Sequence, residues 1–116
     1  MNTQDIICGN ADLEGRFRRG WFIGHFLSAD DLRKTDDVEV KWSNVLAESG
    51  EDEWSSYDAT SLAFLVKGKA HVWFKNSDIV LAKEGGYVLW GPGVMHRWKV
   101  EDNALVITVR WPPRIK

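Results

Sequence analysis

The sequence predicts an all-β domain of antiparallel strands, closed into a sandwich or a barrel. Apolar residues recur with a period of two along most of the chain, which marks strands with one buried face. Polar or glycine-containing segments interrupt these runs at intervals near the roughly 8–12 residues typical of sandwiches and barrels. No long stretch carries apolar residues at helical spacing, which disfavours a parallel sheet joined by crossover helices.

Taken in order, the first strand is predicted over residues 21–27. Residues 28–35 suit one short helical turn, with Ser28 as its cap and Asp30 and Asp31 in its first turn. Val38, Val40 and Trp42 then alternate with Glu39, Lys41 and Ser43, the pattern of a half-buried strand. Residues 48–58 are acidic and polar around Gly50 and read as a long loop. Leu62, Phe64 and Val66 share one face of the next strand, which ends at Gly68, and Ala70, Val72 and Phe74 follow. Asn76, Ser77 and Asp78 read as a turn before a strand over residues 79–82. Further turns at Gly85-Gly86, at Gly91-Pro92-Gly93 and at residues 101–103 separate the last strands. These run over residues 87–90, then through His96, Trp98 and Val100, then through Leu105, Ile107, Val109 and Trp111. The total is about eight strands in one domain, residues 1–116, with a core at 38–112 and an N-terminal extension holding the early strand.

Composition narrows the function classes. Fifteen basic residues against 17 acidic ones give a formal net charge of -2, which supplies no basic footprint for nucleic acid. No run approaches a membrane span. The polar N-terminus lacks the basic start and apolar run of a signal peptide. A single cysteine, Cys8, allows no internal disulfide and reads as a buried or merely unreactive thiol. A cytoplasmic protein is expected, with neither nucleic acid nor membrane as partner. Seven tryptophans in 116 residues point to an aromatic core, an aromatic-lined cavity or an interface.

One segment carries a specific motif. Gly85-Gly86-Tyr87-Val88-Leu89-Trp90-Gly91-Pro92-Gly93-Val94-Met95-His96 resembles the second motif of the cupins, with Gly85, Gly93 and His96 in register. Gly91 stands where that motif has proline, with Pro92 just after it, and Val100 stands where it has asparagine. Gly68 matches the glycine that ends the first motif. The resemblance implies a jelly-roll barrel, the double-stranded β-helix of small RmlC-like cupins, and a homodimer. It also implies a metal site, but counting back from Gly68 puts the family glutamate on Ser61. The two family histidines fall on Ser55 and Tyr57, or on Trp54 and Ser56. Of the four metal-holding positions only His96 is kept, so the site is degenerate and no cofactor is expected. A divalent iron, manganese, nickel or zinc ion is the alternative.

His96 is the leading candidate. Its alternation with Trp98 and Val100 turns it inward, to hydrogen-bond a ligand or to hold a metal, although a core histidine bonded to a carbonyl is the competing role. Trp98, Trp90 and Trp42 are candidate ligand-binding residues with His96, because small-molecule sites are mostly apolar and aromatic. His71 and His25 complete a three-imidazole metal site only if they converge with His96, and nothing in their spacing brings them together. The carboxylates Glu48, Glu51, Asp52 and Glu53, and Asp36-Asp37, read as solvated. The serines at 55, 56 and 61 have no histidine near in sequence, and no phosphate loop or dinucleotide fingerprint is present. Three functions follow in order: a barrel that binds a small molecule without metal, a divergent metal-dependent oxygenase-like or isomerase-like enzyme using His96, and a structural homodimer with a filled interior.

Overall fold

The computed structural model describes residues 6–112 of the chain. Its elements are a short helix α1 (Ala11–Glu14) and nine strands: β1 (Trp21–Ile23), β2 (Glu39–Val45), β3 (Gly50–Ser55), β4 (Thr60–Lys67), β5 (Ala70–Phe74), β6 (Ser77–Leu81), β7 (Tyr87–Trp90), β8 (His96–Val100) and β9 (Ala104–Trp111). All pairings are antiparallel. They build a five-stranded sheet, β1-β2-β9-β4-β7, and a four-stranded sheet, β3-β8-β5-β6. Two sheets with this interleaved order form a jelly roll. No helix among the described residues is long and apolar enough to cross a membrane.

Four local expectations need correction. The early strand stops at Ile23 instead of running to residue 27. Residues 28–35 form two successive turns, closed by Asp31 N–H to Ser28 O and Lys34 N–H to Asp31 O, and no helix. The short helix lies earlier, where Asn10 caps α1 by accepting from Leu13 N–H. The stretch read as a loop over 48–58 contains β3, which pairs with β8 despite its acidic side chains. Fourth, the turn between β5 and β6 is tighter than expected, because Phe74 pairs with Ser77 and only Lys75 and Asn76 connect them. Arg33 fastens the segment between β1 and β2 to the helix by bonding Glu14 as well as Asp31.

Gly68 turns β4 into β5. Its φ of +91° is open to glycine, and a Cβ there would sit 2.5 Å from the Asn103 carbonyl. Both constraints explain why this position is glycine.

Register divides the interior into rungs. In the larger sheet the first joins Glu39, Arg110, Ser61 and Trp90; the second Lys41, Thr108, Ala63 and Val88; the third Ser43, Val106 and Leu65. The facing sheet contributes His96, Phe74 and Ser77 to the first rung, Trp98, Val72 and Ile79 to the second, and Val100, Ala70 and Leu81 to the third. The third rung is the apolar core: Leu65, Ala70, Leu81, Val100 and Ala104 form one buried cluster. The first is different in kind, with Glu39, Ser61 and His96 the buried polar residues of the chain as described.

The phase of the larger sheet follows from these registers. Lys41, Ser43 and Ser61 face inward, whereas Trp42, Ile107 and Phe64 share the opposite face with Val40, Val109 and Leu62. That outer face is apolar, and it extends to Leu89 and Tyr87, which are exposed.

Candidate functional site

Small side chains open the barrel above its core. Ala63, Ala70 and Val72 leave room between the sheets, and a cavity of about 550 Å³ occupies it. That volume falls within the range of small-molecule sites. Its walls combine aromatic residues (Tyr57, Trp90, His96 and Trp98) with the polar residues Lys41, Thr108 and Arg110. Glu51 and Ser49 and the residues Asp12, Arg16 and Arg19 near α1 also border it.

Arg110 is central to the first rung. Its guanidinium lies 3.8 Å from the Tyr57 ring centroid and 4.6 Å from that of Trp21, a cation held between aromatic faces. It pairs with buried Glu39 at 3.5 Å, and Glu39 also lies 3.9 Å from His25 Nδ1. A carboxylate this buried needs such a partner, because an uncompensated buried charge is costly.

Lys41 sits one rung deeper and has no such partner. No ion pair to it exists among the described residues. Its ammonium lies 5.6 Å from the Trp21 ring centroid. Desolvation holds its pKa below the usual lysine range, and the positive charge of Arg110 adds to that effect.

His96 is 6% exposed and packs against Trp90 at 4.8 Å and Tyr57 at 5.8 Å between ring centroids. Burial, more than any other cause, pushes its pKa below the usual histidine range. A neutral ring whose Nδ1 donates to Val94 O, 3.3 Å away, keeps Nε2 as an acceptor. The turn before it needs Gly93, whose φ is +80°.

The other sequence candidates are scattered. Trp98 and Trp90 line the cavity with His96, and Trp98 Nε1 donates to Glu51 Oε1 at 2.7 Å. Trp42 borders the cavity but by register belongs to the outer apolar face with Ile107 and Phe64. His71 is on the outer face of the other sheet, since its neighbours Ala70 and Val72 are the inward pair; it stacks on Trp73 and lies 3.4 Å from Glu101. His25 lies in the turn after β1. The three-histidine site is therefore not assembled. Among the described residues no three His, Cys, Asp or Glu side chains converge as metal ligands.

Sequence reasoning missed Lys41, Thr108 and Arg110. Alternation in β2 and β9 carries the signal, but the usual phase, with apolar residues inward, hides it because here the polar residues face the interior.

No protein-family model matches the chain, and no curated protein matches it. Solved structures do. KdgF from Halomonas sp. superposes with a TM-score of 0.63 at 17% identity, over 69% of this chain and 74% of that one. An RmlC-like cupin from Shewanella frigidimarina gives 0.63 at 16%, over 69% and 70%. A cupin superfamily protein from Desulfitobacterium hafniense gives 0.61 at 13%, over 66% and 69%. The fold is that of the cupins. Within it, the segment resembling the second cupin motif is β7, the following turn and the start of β8. The positions that the motif resemblance assigns to the cupin metal are Ser61, Tyr57 or its neighbours, and His96, and Ser61 and Tyr57 adjoin Arg110. A hydroxyl, a phenol and one imidazole beside a fixed cation do not fit a divalent metal ion, which needs several anionic or imidazole donors.

Proposed function

We propose that this chain binds a small organic molecule inside its cupin barrel, without a metal ion at the position of the cupin ligands. One observation carries the reading: the cavity of about 550 Å³ lies against His96 and Tyr57, with Arg110 beside them, while the apolar core closes the third rung. A barrel serving only as a structural module has no use for a hollow lined by Lys41 and Arg110, because desolvating charged groups works against stability.

His96, Tyr57, Trp90 and Trp98 would form the aromatic walls that hold the ligand, and His96 Nε2 would accept a hydrogen bond from it. The test is elemental analysis of untagged protein and of His96→Ala, with thermal-shift screening of both against a small-molecule library. The binding role predicts substoichiometric metal in both proteins, even after incubation with excess divalent ions. It also predicts ligands that raise the melting temperature of the wild type but not of a folded His96→Ala. Near-stoichiometric metal that disappears in His96→Ala would overturn it in favour of the metalloenzyme.

A further inference from the structure

Buried polar atoms in proteins are almost always hydrogen-bonded. Along the first rung three neighbours break that rule together: Arg110 Nε, Ser61 Oγ and Trp90 Nε1 are buried without a partner. Ser61 is 0% exposed, and Trp90 and Arg110 on either side of it line the cavity. The chemistry of these atoms is one-sided. Guanidinium and indole nitrogens only donate, and a serine hydroxyl can. One rung deeper lies the unpaired ammonium of Lys41, also lining the cavity.

We propose that the ligand of this cavity is an organic carboxylate, its anionic end received by Lys41 and the first-rung donors and its body packed against the aromatic walls. The assignment rests on the small-molecule reading above and deepens it. The local charges favour an anion. Arg110 is partly neutralised by Glu39, Glu51 is engaged by Trp98 at the rim, and Asp12 faces Arg16 at 3.6 Å. Glu51 still acts on Lys41 as a negative charge from the rim, but among the described residues no carboxylate pairs directly with its ammonium, and exposed Arg19 adds a further positive charge at the border of the cavity. The guanidinium fork suits the two oxygens of a carboxylate. The three donors are shut off from bulk water, and side-chain rotations of the kind common on binding would open them. In this barrel a fixed organic cation takes the place that a metal ion holds in the typical cupin.

The test uses matched pairs of probes, an aromatic acid and its amide (benzoate, benzamide) and a sugar acid and its amide (glucuronate, glucuronamide), with inorganic phosphate as a third arm. Binding is read by calorimetry and tryptophan fluorescence on the full chain. At least one acid is expected to bind, and to bind about ten- to a hundredfold more tightly than its amide, as charge-assisted hydrogen bonds imply. Lys41→Met should keep its fold, since it removes a buried charge without orphaning another, and lose that preference. Arg110→Lys keeps a cation beside Glu39 without the fork and should weaken the acid less. Which acid binds distinguishes an aromatic from a sugar body. Equal binding of acid and amide, or an unchanged preference in Lys41→Met, overturns the carboxylate while leaving a small-molecule barrel standing. Phosphate competing as well as the organic acid overturns the role of the organic body. No binding by any probe overturns both readings.

Discussion

The two ends of this barrel interior are built on the same strands, a few residues apart, from opposite materials. At one end Leu65, Leu81, Val100 and the alanines 70 and 104 close into one buried apolar cluster. At the other, Glu39, Ser61 and His96 are buried and Arg110 is half-buried among aromatic rings. The apolar end gains from burial at every contact. The polar end is balanced: each charge there is tolerable only while its partner is present. The fold therefore rests on one end of the sandwich, and the chemistry on the other.

The sharpest way to break this contrast is Arg110→Met. It strands the Glu39 carboxylate, and about 3–5 kcal/mol of stability should be lost in urea denaturation. Adding Glu39→Leu should recover most of the loss, because the carboxylate left without its partner is then gone too. If the single variant matches the wild type, the polar end is not balanced as described. Leu65→Ala attacks the other end, where nothing can be rebalanced. About 2–5 kcal/mol should go, and no second substitution at the charged end should restore it. Gly93→Val tests the turn that delivers His96. A Cβ there meets nothing within 4 Å, so backbone strain alone should cost about 1–3 kcal/mol; Gly93→Asn, which tolerates positive φ, should cost less.

The smallest effect concerns acid. His96 is buried neutral, with its pKa depressed in the folded state, so the unfolded chain takes up its proton first. Its contribution to stability is present above the unfolded value near 6.5 and is lost as the pH falls through the lower folded value. Denaturation midpoints measured between pH 7.5 and 5 should fall less steeply for His96→Gln than for the wild type. Parallel slopes would show that His96 protonates without resistance.

The same contrast explains what the sequence let one read. Strand positions were legible because alternation survives in nearly every strand, and the Pro92-Gly93-Val94-Met95-His96 turn was legible because its residues are unusual. Which face points inward was not legible. A period of two fixes alternation but not phase, and in β2 and β4 the apolar residues Val40, Trp42, Leu62 and Phe64 line the outer face while Lys41, Ser43 and Ser61 line the inner. The hydrophobic outer face misled because it looks like a core. In β8 apolar Val100 shares its face with His96 and marks the interior, so His96 was placed correctly. Helix α1 escaped notice because four residues are too few to establish a helical period.

Strand β3 lies at the edge of its sheet, paired on one side only. The acidic residues Glu51, Asp52 and Glu53 that disguise it as a loop also occupy that open edge. A bare edge is a template on which a neighbouring chain can add a strand, and clustered like charges repel such an addition. In the crowded cell, this acidic margin would keep neighbouring copies from zippering together through their backbones.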